Sequence, residues 1–268
     1  MHSIKHFLAT ATSVVALLIL GTPVQSQNWN HKKAAVVLTY DDGLNVHLDL
    51  VVPQLDSAGI KGTFYIPGNS AALHQRIDEW RSIAYNGHEL GNHTLFHPCI
   101  GNTQGREWVD KDYDLGNYSV NQIVNEIKLA NTLLKAVDGK EKRTFAYTCG
   151  DKSAGNGDFS NIIKKEFTGA RDVSFKLEKA ETIDLNAISA FFVTNQTGEE
   201  LINLAKQALE QESLIVFLFH GVGGEHNINI PLEEHAKLID FLSEHRDEFW
   251  VAPMVEVTSF ISESNIRH

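Results

Sequence analysis

The sequence contains no internal repeat, no low-complexity tract and no Pro/Gly/Ser-rich linker that would divide it. A single domain is therefore the simplest organisation for its 268 residues. Positive charge is also scarce, because 23 Lys and Arg residues stand against 34 Asp and Glu residues. This acidic balance argues against nucleic acid or an anionic membrane as a partner, and it leaves neutral ligands open.

The N-terminal segment has the pattern of an export signal. Lys5 precedes an apolar or small-residue run at residues 7–20, and residues 24–26 (VQS) fit a small-x-small cleavage site. We expect a cleaved signal peptide over residues 1–26, one domain over residues 27–268, and a secreted or periplasmic protein. The run is short for a spanning helix and no Cys follows the cleavage site, so we expect no stable membrane anchor.

Apolar runs and amphipathic segments alternate along the remaining chain. The pattern predicts strands at residues 34–40, 62–66, 88–92, 144–148, 169–175, 187–193, 213–219 and 249–252. It predicts helices at residues 44–58, 70–85, 119–138, 159–167, 199–211 and 231–244. About seven alternations imply an α/β fold with parallel strands. A barrel is favoured over an open doubly wound sheet, because polar motifs follow several different strands.

Three of these strands end in groups that can carry chemistry. Asp41 and Asp42 are adjacent carboxylates that repel each other, so a metal ion, an arginine or solvent should stabilise them. Alternatively, they are simply part of an Asp-Asp-Gly turn. His93 and His97 have a spacing at which both imidazoles reach one metal if the segment forms a helical turn, although 13 His residues make a chance pair common. His220 ends the most hydrophobic run and is a candidate general acid or a backbone-bonded structural residue.

The motifs TYDDG, HTLFHP and LFH, in this order, closely resemble those of the NodB-homology polysaccharide deacetylases, carbohydrate esterase family four. The resemblance covers about residues 34–253 and implies a distorted (β/α) barrel of about seven strands. It also implies a metal-dependent hydrolase that removes acetyl groups from an oligo- or polysaccharide. By this resemblance Asp41 is the general base, His220 is the general acid, and Leu218 forms the wall of the acetyl pocket. The resemblance also implies that Asp42, His93 and His97 bind Zn²⁺ or another divalent transition metal such as Co²⁺ or Ni²⁺.

One motif departs from the family pattern. Where the family has Arg-x-Pro-aromatic, this chain has residues 146–149 (AYTC), so Ala146 replaces the arginine and only the backbone N–H of Cys149 can serve as an oxyanion donor. We expect Arg171, rather than Arg143, to partner the base. The family aspartate that tunes the catalytic histidine has no clear match, and Asp172 and Asp184 are the two candidates.

The loop at residues 98–118 supplies Trp108 and Tyr113, which either stack on sugar rings or pack the loop onto the barrel. Cys99 and Cys149 are both expected beside the site at one end of the barrel, and in an oxidising compartment they would form a disulfide. Two free buried thiols, or a thiolate that binds the metal, are the alternatives.

Two questions of function stay open at this point. N-deacetylation of an N-acetylglucosamine-type glycan is favoured. O-deacetylation of a substrate such as acetylated xylan is close behind, because the same metal and base serve both reactions. A catalytically inactive carbohydrate-binding barrel is the third hypothesis, and the missing arginine at position 146 suggests it.

Overall fold

The computed structural model describes residues 29–155 and 157–266. The predicted signal peptide lies outside these residues. The strands in them are Ala34–Asp41 (β1), Thr63–Ile66 (β2), Glu89–Asn92 (β3), Phe145–Ala146 (β4), Ser153–Ala154 (β5), Gly157–Asp158 (β6), Ala170–Arg171 (β7), Phe191–Phe192 (β8), Leu214–Phe219 (β9), Gly221–Val222 (β10), Asn229–Ile230 (β11) and Phe249–Val251 (β12). The α-helices are Val52–Ser57 (α1), Ala71–Gln75 (α2), Ile77–Tyr85 (α3), Val120–Asp138 (α4), Ser160–Ile163 (α5), Gly198–Glu210 (α6), Leu232–Glu244 (α7) and Met254–Ile266 (α8). None of the described helices is long and apolar enough to cross a membrane.

Strand β1 is the centre of the main sheet. It pairs in parallel with β9 along most of its length, with β2 at its C-terminal half and with β12 at its N-terminal half. All eight of its residues are buried. This explains why it is an almost continuous apolar run rather than an alternating one, since strands covered on both faces have this pattern.

The sheet curls into a distorted barrel of parallel strands. Its order is β7-β4-β3-β2-β1-β9-β8, with β12 outside this path. Ile188, just before β8, forms a parallel bridge with Arg171 of β7, while Phe191 and Phe192 pair with β9. The segment at residues 188–192 therefore joins the two ends of the sheet, and the predicted seven-stranded (β/α) barrel is confirmed.

The alternation of side chains along β1 and β9 decides what faces the barrel interior. Ala35 and Val37 of β1 pack in an inner cluster with Val216 and Leu218 of β9, and the residues between them pack outward against the helices. Because successive side chains point to opposite faces, Asp41 has the same parity as Ala35 and Val37. The strand thus directs this carboxylate to the mouth of the barrel.

Several predicted elements differ in length from the observed ones. The predicted strand at residues 144–148 is only Phe145–Ala146, because a 3₁₀ turn at Thr148–Gly150 follows, with Cys149 at φ 54°. The predicted strand at residues 169–175 is likewise only Ala170–Arg171.

The predicted helices differ in a similar way. The helix at residues 70–85 is broken at Arg76 into α2 and α3, and the helix at residues 44–58 contains a π-helical segment, His47–Val51. The last helix, α8, was not predicted. Helix α4 is confirmed, and Ser119 Oγ accepts the Gln122 N–H at 3.1 Å at its start.

A buried carboxylate organises the end of the barrel opposite the strand C-termini. Glu89, the first residue of β3, accepts hydrogen bonds from Thr144 N and Oγ1, both at 2.7 Å, from Thr63 Oγ1 at 2.9 Å and from Val255 N at 2.8 Å. Thr63 Oγ1 in turn accepts the N–H of Met254 at 2.8 Å. The carboxylate therefore ties β2, β3 and the start of β4 to the N-terminus of α8.

Candidate active site

The acidic pair lies where β1 leaves the sheet. Asp42 at φ 77° and Gly43 at φ 58° both have left-handed backbone conformations, so the chain turns sharply after Asp41. A Cβ at position 43 would lie 2.8 Å from Ile66 Cγ2, so the turn needs glycine for space as well as for conformation. Ser70 Oγ donates a hydrogen bond of 2.6 Å to the Gly43 carbonyl and fixes the turn from outside.

His93 and His97 meet Asp42 beside this turn. The Nε2 atoms of His93 and His97 lie 3.8 Å and 3.4 Å from Asp42 Oδ1. The segment that carries them is not a helical turn, because Thr94 and His97 have φ of 64° and 53°. The two histidines converge as predicted, but the predicted helical turn is wrong. A looped backbone brings the two rings to a centroid distance of 4.8 Å.

The three residues fit a divalent cation. Their ligand atoms lie within 4.8 Å of one another. His93 Nδ1 donates a hydrogen bond of 2.9 Å to the Ala146 carbonyl, which leaves Nε2 unprotonated toward Asp42. Burial lowers the pKa of His93 to about 4, so the ring is neutral at pH 7, as a metal ligand must be. Burial raises the pKa of Asp42, but the four surrounding imidazoles, with that of His97 first, together outweigh this effect and lower the pKa overall. Two imidazoles and one carboxylate form a donor set suited to Zn²⁺ or another late transition metal.

Arg171 contacts Asp41 in the position that Ala146 leaves empty. Its Nη2 atom lies 2.5 Å from Asp41 Oδ2, and both side chains are buried. Ala146 and Arg171 are register partners on β4 and β7, so the guanidinium comes from the neighbouring strand. Arg143 instead binds Asp138 and the Leu90 carbonyl. Asp41 Oδ1 is buried and has no hydrogen-bond partner among the described residues.

His220 closes the site on the other side of Asp42, with its Nε2 atom 4.0 Å from Asp42 Oδ2. Burial lowers the pKa of His220, against the opposing charges of Asp41 and Asp42. Its Nδ1 atom is buried without a hydrogen-bond partner in the described part of the chain. The expectation that Asp172 or Asp184 tunes this ring is therefore wrong. Asp172 pairs with Lys152, and Asp184 accepts the Asn186 N–H.

His226 belongs to the site and was not identified from the sequence. Its ring stacks on His220 at a centroid distance of 4.9 Å and an interplanar angle of 16°. Its Nε2 atom lies 3.8 Å from Asp42 Oδ2. The available signal was a second histidine in the glycine-rich segment that follows His220, but loop residues carry no periodicity that indicates where they point.

A cavity of about 920 Å³ opens above these groups. Leu218, Cys149 and Trp108 line it as predicted, and Trp108 is 65% exposed at its rim. Tyr113 is not among the lining residues, because its ring stacks on Phe96 at 5.5 Å. Phe192 and Arg106 also line the cavity and were not identified from the sequence.

A disulfide joins the loop that follows His97 to the turn that carries Cys149. The Cα atoms of Cys99 and Cys149 are 5.8 Å apart, and 50 residues separate them in sequence. Arg106 reinforces the connection, since its guanidinium donates to the Cys149 carbonyl at 2.9 Å and to Asp151 Oδ2 at 2.6 Å. The loop bearing Trp108 is thus anchored beside the candidate metal ligands.

Replacing both Cys99 and Cys149 with Ala should lower the free energy of unfolding by about 4 kcal/mol, the chain-entropy value for a loop of this length. Denaturant unfolding of the oxidised wild type and the double variant measures the difference. Intact mass after alkylation is the control, because two alkylatable thiols in the unreduced wild-type protein would contradict the disulfide.

The family model for polysaccharide deacetylases matches residues 28–164, half of the chain. The chain is a member of the polysaccharide deacetylase family. This family generally uses a divalent metal. The part of the chain that the family model matches includes Asp41, Asp42, His93 and His97.

One curated relative of this family member is a peptidoglycan-N-acetylglucosamine deacetylase from Bacillus cereus. The two are 25% identical over 168 residues, which is 62% of this chain and 51% of the relative. The matched region therefore spans about half the length of that protein.

Solved structures share the fold of this deacetylase family member at low identity. A candidate polysaccharide deacetylase from Mycobacterium smegmatis is 17% identical, with a TM-score of 0.56 over 91% of this chain and 95% of that one. A domain of a multidomain xylanase from the hindgut metagenome of Trinervitermes trinervoides is also 17% identical, with a TM-score of 0.54 over 85% of this chain and 91% of that one.

Proposed function

We propose that this family member removes acetyl groups from an N-acetylglucosamine-type glycan in a metal-dependent hydrolysis. The observation that carries the proposal is the convergence of Asp42, His93 and His97 next to the buried Arg171–Asp41 pair, at the floor of a large cavity. The B. cereus relative, named for N-acetylglucosamine deacetylation, supports the choice of substrate.

Asp42, His93 and His97 would hold Zn²⁺, or Co²⁺ or Ni²⁺ in its place. When bound, such an ion polarises an acyl carbonyl and lowers the pKa of a neighbouring water. His93 is prepared for this role by its hydrogen bond to Ala146, which fixes the ring orientation and the tautomer.

Asp41 and His220 would move the protons. Arg171 contacts Asp41 Oδ2 and orients the carboxylate, and the unpartnered Oδ1 atom would take a proton from the attacking water. His220, across Asp42 from the base side, would give a proton to the departing amine. The backbone N–H of Cys149, which lines the cavity, would donate to the developing oxyanion.

The remaining cavity residues would bind the sugar. Leu218 is buried in the wall and would contact the acetyl methyl group, while the exposed indole of Trp108 offers a flat face for a sugar ring. The net charge of −11 suits a neutral glycan better than nucleic acid. A secreted or periplasmic location, where such glycans occur, completes the proposal.

Arg171 weighs against the inactive-barrel hypothesis. That hypothesis rested on Ala146, but a guanidinium from the adjacent strand contacts the base directly. O-deacetylation remains the second candidate, because the same base, acid and ligand set would act on an acetyl ester.

The purified protein should release acetate from N-acetylchitooligosaccharides when Zn²⁺ is present. We expect loss of activity after chelation and recovery with Zn²⁺, but little recovery with Mg²⁺, which prefers oxygen ligands. Acetate released only from acetylated xylan would indicate the esterase instead. Glycan binding without acetate release from either substrate would contradict the proposal and restore the inactive barrel.

A further inference from the structure

A buried histidine connects the two strand ends that carry the proposed base and acid. His47 is the first residue of the π-helical segment and has no exposed surface. Its Nδ1 atom accepts the N–H of Leu44 at 3.2 Å, and its Nε2 atom donates to the His220 carbonyl at 2.8 Å. Leu44 belongs to the turn after Asp41, Asp42 and Gly43, so one ring bridges both halves of the site.

The bridge lies where the backbone pairing of the two strands ends. The register of β1 and β9 stops at Tyr40 and Phe219, and the next residues along the chains are Asp41 and His220. Beyond this point the described residues of the two strands form no further register pair. The two bonds of His47 span the gap with a rigid ring.

Helix capping alone does not explain this histidine. Its bond to the Leu44 N–H resembles the side-chain half of a capping box, with the His47 N–H bonded to the Leu44 carbonyl at 3.3 Å. In the capping box that role belongs to Glu or Gln. The second bond reaches a residue 173 positions away in sequence and contributes nothing to the cap.

The ring is held in one orientation and one tautomer. It packs against Tyr40 and Phe64, each at a centroid distance of 5.7 Å. Burial lowers the pKa of His47 to about 4, so the ring is neutral at pH 7. With one proton on the ring, the two contacts require it on Nε2, because Nδ1 accepts and the carbonyl can only accept. Both ring nitrogens therefore form hydrogen bonds, one as acceptor and one as donor.

The position of the His220 ring depends strongly on its backbone, which His47 holds. Its own Nδ1 atom has no hydrogen-bond partner among the described residues, so no carboxylate holds the ring from behind. Within the described part of the chain, its ring stacks on His226 and makes an edge contact with Phe192 at 5.4 Å. The place of Nε2 is consequently set by where the backbone of residue 220 lies.

We propose that His47 is a positioning residue that fixes the distance between the acidic pair and His220 for proton transfer. The proposal rests on the proposed deacetylation, in which Asp41 and His220 act on one acetyl group. Misplacement of a reacting group by about 1 Å lowers the rate roughly 10²-fold, and we expect a loss of this size when His47 no longer positions His220.

Two substitutions separate the two bonds. His47→Asn places an amide oxygen near the position of Nδ1 and loses the donor to His220. His47→Gln places an amide N–H near the position of Nε2 and loses the acceptor for Leu44. We expect His47→Asn to lower kcat by about 10²-fold with KM within about twofold, because a positioning loss acts on the transition state rather than on binding. His47→Gln should retain more of kcat and weaken Zn²⁺ affinity by about tenfold, because the turn that holds Asp42 is loosened.

His235→Gln is the matched control. His235 is equally buried, but it bonds two side chains, Tyr40 Oη at 2.8 Å and Gln54 Oε1 at 2.6 Å, rather than the backbone of the acidic turn or of residue 220. This change should lower stability as the His47 variants do, while kcat per folded molecule stays within about twofold. Equal kcat losses in His235→Gln and His47→Asn would show a general packing effect and overturn the positioning role.

Crystal structures provide a test that does not depend on turnover. In His47→Asn, the distance of 4.0 Å between His220 Nε2 and Asp42 Oδ2 should change by about 1 Å, and in His235→Gln it should not. An unmoved His220 in His47→Asn would overturn the inference even if the wild type is fully active. A wild type without acetate release but with the displaced His220 would instead refute the proposed function alone.

Discussion

Asp41→Asn should lower kcat by about 10³-fold, within the range for loss of a general base, while Zn²⁺ affinity stays within a few fold. Asn has the shape of Asp but cannot take up a proton at neutral pH, and Asp41 is not needed to complete the ligand set of Asp42, His93 and His97. Turnover is measured per folded, Zn²⁺-loaded molecule, and affinity by calorimetry, so that the two effects are separated.

Asp42→Asn is the matched comparison at the adjacent position. It should lose Zn²⁺ affinity as well as activity, because Asp42 Oδ1 lies near the Nε2 atoms of both histidines, at 3.8 Å from His93 and 3.4 Å from His97. The opposite pattern, with metal lost in Asp41→Asn and kept in Asp42→Asn, would mean that the roles of the two acids are reversed.

Glu89→Ala should lower the free energy of unfolding by about 5 kcal/mol, with little effect on the geometry of the site. The change removes the acceptor of four buried hydrogen bonds and leaves the N–H groups of Thr144 and Val255 without their partner. Each orphaned buried donor costs roughly 1–3 kcal/mol. The carboxylate also faces the N-terminus of α8, whose dipole favours a negative charge.

Denaturant unfolding with the Zn²⁺ concentration held constant measures the effect of Glu89→Ala. Glu256→Gln is the control, since Glu256 lies in the same first turn of α8 but is exposed, and its replacement should cost about 0.5 kcal/mol or less. A cost below about 1 kcal/mol for Glu89→Ala would show that the network reorganises without its acceptor.

The parts of the fold that local patterns encode were predicted well. The alternation of apolar runs and amphipathic helices predicted the parallel barrel, because burial on both faces leaves a distinct mark on a strand such as β1. Helix α8 also has a sequence pattern that indicates a helix, although it was not predicted. Its buried residues Met254, Val257, Thr258 and Ile261 follow helical spacing, although the polar Thr258 interrupts the apolar stripe.

The contact between Arg171 and Asp41 was expected and is confirmed, but the strand register that produces it could not be predicted. It requires β7 to pair with β4 at Ala146, and nothing local in the sequence specifies that pairing. The unpartnered Nδ1 of His220 is similar, since Asp172 and Asp184 had suitable chemistry but lie against other groups. The role of His47 was hidden for the same reason, because its decisive contact is with a residue 173 positions away.

The central place of β1 has a consequence for how the chain folds as it is made. Thr39 pairs with Leu218 and Ala34 pairs with Phe249. Strand β1 is therefore synthesised first, but two of its partner strands, β9 and β12, are synthesised near the end of the chain. Such long-range pairing slows folding and leaves apolar strand edges open in the meantime. A chain cut before residue 214 would retain the acidic pair and both candidate ligand histidines, yet it would have an uncovered edge on β1 and no His220. We therefore expect such fragments to aggregate rather than to bind glycans, and a chaperone that shields β1 during synthesis would raise the yield of folded protein.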